Sequence, residues 1–215
     1  MTKNKKTPIF IGITGTHCVG KTTLAKQLKT LCNQRGIKSE ILEEVVRQVA
    51  ELKDPNFKIH GEQTVYTTNL IIKNQIEHEE ALKKQDLDVV FCDRTFIDPL
   101  YYLFSNDRYE YRLSRWLHID KIEDLVFPNV YDVVREKSRY STIIYVKLGT
   151  FYALQNGIES DGFRDTDKSL QFRVQENAEK ILDSLYLDNL VKHFALTIPL
   201  DNDIYYNNLL DEVLH

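Results

Sequence analysis

Apolar residues along this chain gather into short, nearly continuous runs, separated by longer segments in which they recur every three or four positions. Four runs stand out, at Ile9 to Thr14, Leu87 to Cys92, Thr142 to Leu148 and Phe194 to Leu200, with a weaker fifth at Ile37 to Glu43. Each is rich in β-branched or aromatic residues and does not alternate with polar ones, the pattern of a strand covered on both faces of a parallel sheet. Between the runs, Leu24, Leu28, Leu31 and Cys32 fall on one helical face, and Leu170, Val174, Ala178, Ile181 and Leu185 on another. The alternation of strands and helices, with right-handed crossovers, predicts a three-layer α/β/α sandwich.

Two stretches break this rhythm. From about Lys53 to Gln85, a polar loop through Asp54-Pro55-Asn56-Phe57 leads into a long charged helix from Glu62, an excursion suited to covering a substrate. Gly149 to Asp167 carries Gly149, Gly157 and Gly162 without periodicity and reads as a mobile loop or lid. The Tyr- and Arg-rich region from Tyr101 to Arg139 reads as helical.

Composition narrows the class. A chain of 215 residues suits one α/β domain spanning 1–215, long enough to bury a core without disulfides. With 28 basic and 32 acidic residues, a formal charge of −4 disfavours long nucleic acid as a partner and leaves small charged ligands to a local pocket. Cys18, Cys32 and Cys92 are scattered without ligand spacing, so neither a disulfide framework nor a zinc site is expected. No 18-residue apolar stretch or signal-like start occurs, and the expectation is a cytoplasmic protein with no membrane partner. A homodimer is left open.

The most specific motif follows the first apolar run. Gly15-Thr16-His17-Cys18-Val19-Gly20-Lys21-Thr22 matches GxxxxGK[ST], with Thr23 continuing into an amphipathic helix. The two glycines let the backbone turn tightly and aim its N–H groups at the phosphates of ATP at the positive end of that helix. Lys21 is expected to bridge the β- and γ-phosphates, and the Thr22 hydroxyl to ligate Mg²⁺. His17 is expected to offer its backbone, and Cys18 to fill space beneath the phosphates. Asp93, ending the run Val89-Val90-Phe91-Cys92, is the second Mg²⁺ partner at the carboxyl edge of the sheet. The residue after it is Arg94, where motor-type ATPases often carry a water-activating Glu; a cation there suits charge on a moving phosphoryl group. Neither NKxD nor DxxG occurs, which disfavours a GTPase.

Four motifs together, GTHCVGKTTLAKQL, Glu43-Glu44-Val45-Val46-Arg47, Asp93-Arg94-Thr95 with Asp98 and Tyr101, and Asp161-Gly162-Phe163-Arg164, resemble the P-loop nucleoside and nucleotide kinases, most of all the NadR-like AAA-type kinases. The resemblance runs to about Leu187. It implies a five-stranded parallel sheet of order 2-3-1-4-5 with a lid over about 149–167. It also implies ATP-dependent phosphoryl transfer to a small nucleoside, nucleotide or ribosylnicotinamide-like acceptor. By the same resemblance Glu44, with Glu43 as the lesser candidate, is the general base, and Arg164 clamps the ATP phosphates. Whether Glu44 or Asp93 takes the proton stays open, as do the acceptor and the choice of ATP over GTP. Arg47 lies one helical turn beyond Glu44, placed to hold substrate phosphate or to stabilise transfer. Arg139 and Arg173 are further cations for the lid. Phe57, Tyr66, Gln75, Asp98, Tyr101 and Tyr102 sit in segments bordering the cleft and suit the stacking and hydrogen bonding of a base. The competing reading is a nucleotide-binding ATPase or regulatory switch without a small-molecule acceptor.

Overall fold

The computed structural model describes residues 6–46, 65–105, 139–148, 168–187, 193–196 and 202–215. Within them lie strands β1 (Ile9–Thr14), β2 (Ser39–Leu42), β3 (Val89–Asp93), β4 (Thr142–Val146) and β5 (His193–Leu196). The helices are α1 (Lys21–Gln34), α2 (Val65–Leu82), α3 (Asp98–Phe104), α4 (Lys168–Leu187) and α5 (Asp203–Leu214).

All five strands are parallel and pair in the order β2-β3-β1-β4-β5, the order expected from the kinase resemblance. β1 is central, with Ile13 opposite Asp93 on one side and Ile144 on the other. Both faces are covered, which is why the strand sequences do not alternate. Phe10, Val90, Cys92, Ile143 and Tyr145 face one core, shared with Ile71 and Ile72 of α2, Leu100 and Leu103 of α3, and Leu170, Val174, Ala178 and Ile181 of α4. Ile11, Ile13, Val89, Phe91, Ile144 and Val146 face the other, packed against Leu24, Leu28 and Leu31 of α1 and Leu209, Leu210 and Val213 of α5. Each valine, leucine, isoleucine or phenylalanine among them, fully buried, adds about 1.5–3 kcal/mol over leaving it in water.

The weak fifth run is a true edge strand, shortened to Ser39–Leu42. The run from Leu87 begins two residues later than expected and carries on through Asp93, so the acidic residue is itself the last strand residue. The lid region, Arg47, Phe57, Arg164 and residues 106–138 lie outside the described residues.

Candidate active site

The site is built where β1 and β3 end side by side. Gly15 has φ 138° and Gly20 φ 92°, values that L side chains rarely adopt. At Gly15 there is also no room, since an added Cβ would come within 2.3 Å of the Val146 carbonyl oxygen. The loop therefore lies directly on β4. Cys18, with φ 59°, is the third left-handed residue of the turn and is partly buried. Gly20 opens α1 with no side-chain cap, and α1 carries no acidic residue in its first turn. The contrast is α5, where Asn202 accepts from the Tyr205 N–H at 3.0 Å. The N-terminal N–H groups and positive dipole of α1 are thus left to an anion.

Lys21 is 6% exposed, and its ammonium donates to the carbonyls of Gly15 (2.9 Å) and Thr16 (2.5 Å). Burial, and then the neighbouring Arg94 charge, lower its pKa to about 8 against the partial compensation of Asp98, Asp93 and Glu44. The His17 carbonyl accepts from Gln171 of α4 at 2.8 Å, which ties the loop to the helix after the lid region, while its imidazole is buried 6.3 Å from the Tyr102 ring. Val19 is buried beneath the loop, and Thr22 and Thr23 are exposed.

Across from the loop, the Thr22 hydroxyl donates to Asp93 Oδ2 at 2.5 Å. A hydroxyl and a carboxylate held together at a phosphate loop are a hard oxygen pair, the donor chemistry that Mg²⁺ prefers. The residues therefore fit the ion that the motif implies.

The next residue, Arg94, leaves the strand with φ 94°, a conformation costly for a side chain with Cβ. Its N–H still bonds to Ile13 O at 3.0 Å, so the turn begins on the sheet. Its guanidinium pairs through Nε with Glu44 and through Nη1 with Asp98 Oδ1 (3.5 Å) and the Tyr102 hydroxyl (3.3 Å), and lies 5.5 Å from the Tyr102 ring centre. Burial opposes its charge, but Glu44, Tyr102 and Asp98 outweigh that and hold its pKa well above the usual arginine value. Asp98 is buried at the start of α3; its Oδ2 accepts from Thr14 Oγ1 (2.8 Å), Thr95 N (2.8 Å) and Thr95 Oγ1 (2.6 Å). Burial raises its pKa against the pull of Arg94 and Lys21.

These groups line a cavity formed by Glu44, Val45, Val46, Ile71, Gln75, Arg94, Thr95, Asp98, Pro99 and Tyr102. It pairs apolar walls with a few convergent polar groups, the usual make-up of a small-molecule site. Of the residues singled out from sequence, the fold brings Glu44, Gln75, Arg94, Asp98 and Tyr102 to this cavity. Tyr101 is fully buried in the core beside it, its hydroxyl 3.4 Å from Thr14 Oγ1. Glu43 is exposed and Tyr66 is 69% exposed, and neither lines the cavity. Gln75 Nε2 donates to Glu79 Oε1 (3.1 Å) and to the Arg94 carbonyl (3.3 Å). Arg139, expected as a further cation for the lid, is nearly buried and paired with Glu79 (2.8 Å) and Glu80 (2.5 Å). Sequence reasoning passed over Glu79, Tyr140 and Thr14; the only signal was the i,i+4 spacing of Gln75 and Glu79 on one helix face.

Comparison with known proteins gives the family and the fold. The thymidylate kinase of Campylobacter hominis is 26% identical over 204 residues, covering 91% of this chain and 92% of that protein. Among solved structures, deoxyadenosine kinase from M. mycoides with bound dATP matches with a TM-score of 0.55 and 17% identity, over 96% of this chain and all of that one. NadR in complex with NR matches with a TM-score of 0.61 and 19% identity, over 97% of this chain and 51% of that chain. At those identities the structural likeness speaks for the fold, a nucleoside-kinase-like P-loop sandwich. The family model described as AAA domain (AAA_28) covers residues 10–185, from the central strand through nearly all of α4, and the chain belongs to that family of P-loop domains.

Proposed function

We propose that this protein is an ATP- and Mg²⁺-dependent phosphotransferase whose acceptor is the hydroxyl of a nucleoside-like molecule, a cationic ribosylnicotinamide-like one included, rather than a nucleoside monophosphate. The observation that carries the reading is the Glu44–Arg94 pair in the wall of a cavity beside the phosphate loop. Loop amides and Lys21 suit the triphosphate, and Thr22 with Asp93 would hold Mg²⁺, which neutralises phosphate charge when bound. Glu44 is the base: as the acceptor oxygen bonds to the γ-phosphorus and the bond to the β-γ bridging oxygen breaks, the hydroxyl proton passes to its carboxylate. Arg94 faces the charge that moves in that step. Arg164 keeps its proposed role as clamp on the ATP phosphates, and Arg47, with no acceptor phosphate to hold, that of stabilising transfer.

The choice of acceptor rests on charge. The cavity's described lining sets two carboxylates, Glu44 and Asp98, against one guanidinium, and that guanidinium is bonded to both. A neutral or cationic nucleoside meets no penalty there, whereas a phosphate dianion is opposed by like charge. The named relatives include both a thymidylate and a deoxyadenosine kinase, so the site's own chemistry has to arbitrate.

The test is acceptor-dependent ADP release with a panel of nucleosides, nicotinamide riboside and the matching 5′-monophosphates. Nucleosides are expected to exceed their monophosphates in kcat/KM by at least about 100-fold. Faster turnover of a monophosphate would assign a nucleotide acceptor instead. ADP release indifferent to every acceptor would favour a regulatory ATPase.

A further inference from the structure

One buried carboxylate reaches the Arg94 turn along two arms. Glu79, on α2, is 1% exposed and does not line the cavity. Its Oε1 accepts from Gln75 Nε2 at 3.1 Å and from the Tyr140 hydroxyl, and its Oε2 accepts from Arg139 Nε at 2.8 Å. The first arm continues from Gln75 Nε2 to the Arg94 carbonyl at 3.3 Å. The second continues through the Tyr140 hydroxyl oxygen, which accepts the Phe96 N–H at 3.1 Å. The peptide groups on either side of Thr95 are therefore both fastened to one side chain, just where Arg94 holds a left-handed φ of 94°.

Such a backbone is strained at a residue with Cβ and persists only where its surroundings over-determine it. The clamp supplies that determination. Glu79 is itself kept charged-paired by Arg139, so the anchor is a satisfied buried network rather than a stranded acid. Burial and then the Glu79 charge hold the Tyr140 hydroxyl well above the usual tyrosine range, so it remains a donor. Its ring also stacks on Phe96, with centroids 5.6 Å apart and planes 20° apart, so the hydroxyl can be removed while the ring keeps its packing.

We propose that Glu79, acting through Gln75 and Tyr140, is a positioning residue that locks Arg94 in its left-handed turn and so aims the guanidinium at Glu44. The consequence for chemistry rests on the function proposed above. The lock itself does not, and the experiment separates the two.

The probes are Tyr140→Phe, which keeps the ring stack, and Glu79→Gln, each alone and combined with Arg94→Ala. In the parent background Tyr140→Phe is expected to lower kcat for acceptor-dependent transfer about 10- to 100-fold with KM for ATP nearly unchanged, the usual cost of a misplaced reacting group. With Arg94 already removed, the same substitution is expected to change kcat less than about twofold. An equal loss in both backgrounds overturns the proposal. Independently of turnover, the Arg94 Nε–H resonance, assigned by its loss in Arg94→Ala, is expected to lie at a slowly exchanging, hydrogen-bonded position in the parent protein and to move toward free arginine in Tyr140→Phe and in Glu79→Gln. A resonance unmoved by both substitutions likewise overturns it. A parent protein that shows the lock in this resonance but no acceptor-dependent turnover would support the positioning role and reject the kinase reading.

Discussion

The guanidinium of Arg94 is bonded through Nε to the carboxylate of Glu44, joining the residue just after β3 to the residue two past the end of β2. The two strands are neighbours in the sheet, so a contact between positions 50 apart in sequence follows from the pairing of β2 with β3. It sets a base candidate and a cation together in one cavity wall. Replacing the base while keeping its shape separates chemistry from binding. Glu44→Gln is expected to lower kcat about 100-fold or more, with little change in ATP affinity, measured by steady-state kinetics beside ATP titration. Unchanged turnover would pass the base role to Asp93 or to the acceptor itself.

Lys21 is the only described lysine buried against the phosphate loop, and its ammonium already bonds to two loop carbonyls. Lys21→Ala is expected to cut phosphoryl transfer by at least about 100-fold. The thermal unfolding midpoint should stay close to that of the parent, because the change removes a buried charge held at a cost in desolvation. A near-normal rate at saturating ATP would remove the phosphate-loop assignment.

Gly15 tests the scaffold rather than the chemistry. A methyl group there has to displace the Val146 backbone and also take φ 138°. Gly15→Ala is expected to cost about 2 kcal/mol or more in chemical unfolding. Gly36, also left-handed at φ 71° but with nothing within 4 Å of its Cβ position, serves as the control: Gly36→Ala should cost less, since only backbone strain is added.

The Lys29–Glu40 pair, at 2.5 Å, fixes α1 against the edge strand β2. The Lys29 hydrogen bond first, and the Ile41 backbone N–H second, depress the Glu40 pKa below its ordinary 4.5. A depressed carboxyl stabilises the fold above its unfolded pKa and loses that contribution as pH falls through the folded value. Glu40→Gln is therefore expected to lower the melting temperature slightly at pH 7, the pair being partly exposed, and to match the parent once pH is well under 4.5. A difference that persists at that acid pH would mean that packing, not charge, is what the substitution removes.

Local sequence was enough for the elements with strong patterns. Strand β1 falls on its apolar run from Ile9 to Thr14, and α1 on the face made by Leu24, Leu28 and Leu31, because continuous and 3.6-spaced apolar patterns each satisfy one geometry. The phosphate loop was legible for a similar reason: its glycines, lysine and threonine act within eight consecutive residues. β2 read weakly because an edge strand of four residues has few buried positions to mark it. Candidate ring residues read unevenly: Tyr102 lines the cavity, whereas Tyr66 is exposed and Tyr101 is core, since aromatic side chains serve burial as readily as binding.

What the sequence determined by itself was the sandwich, the phosphate-loop motif ahead of α1 and the acidic residue beside it at the end of β3, each a matter of nearby residues and their spacing. Only the tertiary structure decided which charges meet: Arg94 with Glu44 and Asp98, and Glu79 with Gln75, Tyr140 and Arg139. Most of those partners stand tens of residues apart and come together through sheet order and helix packing. A side chain's charge is written in the chain, whereas the company it keeps depends on how buried strands and helices are stacked around it.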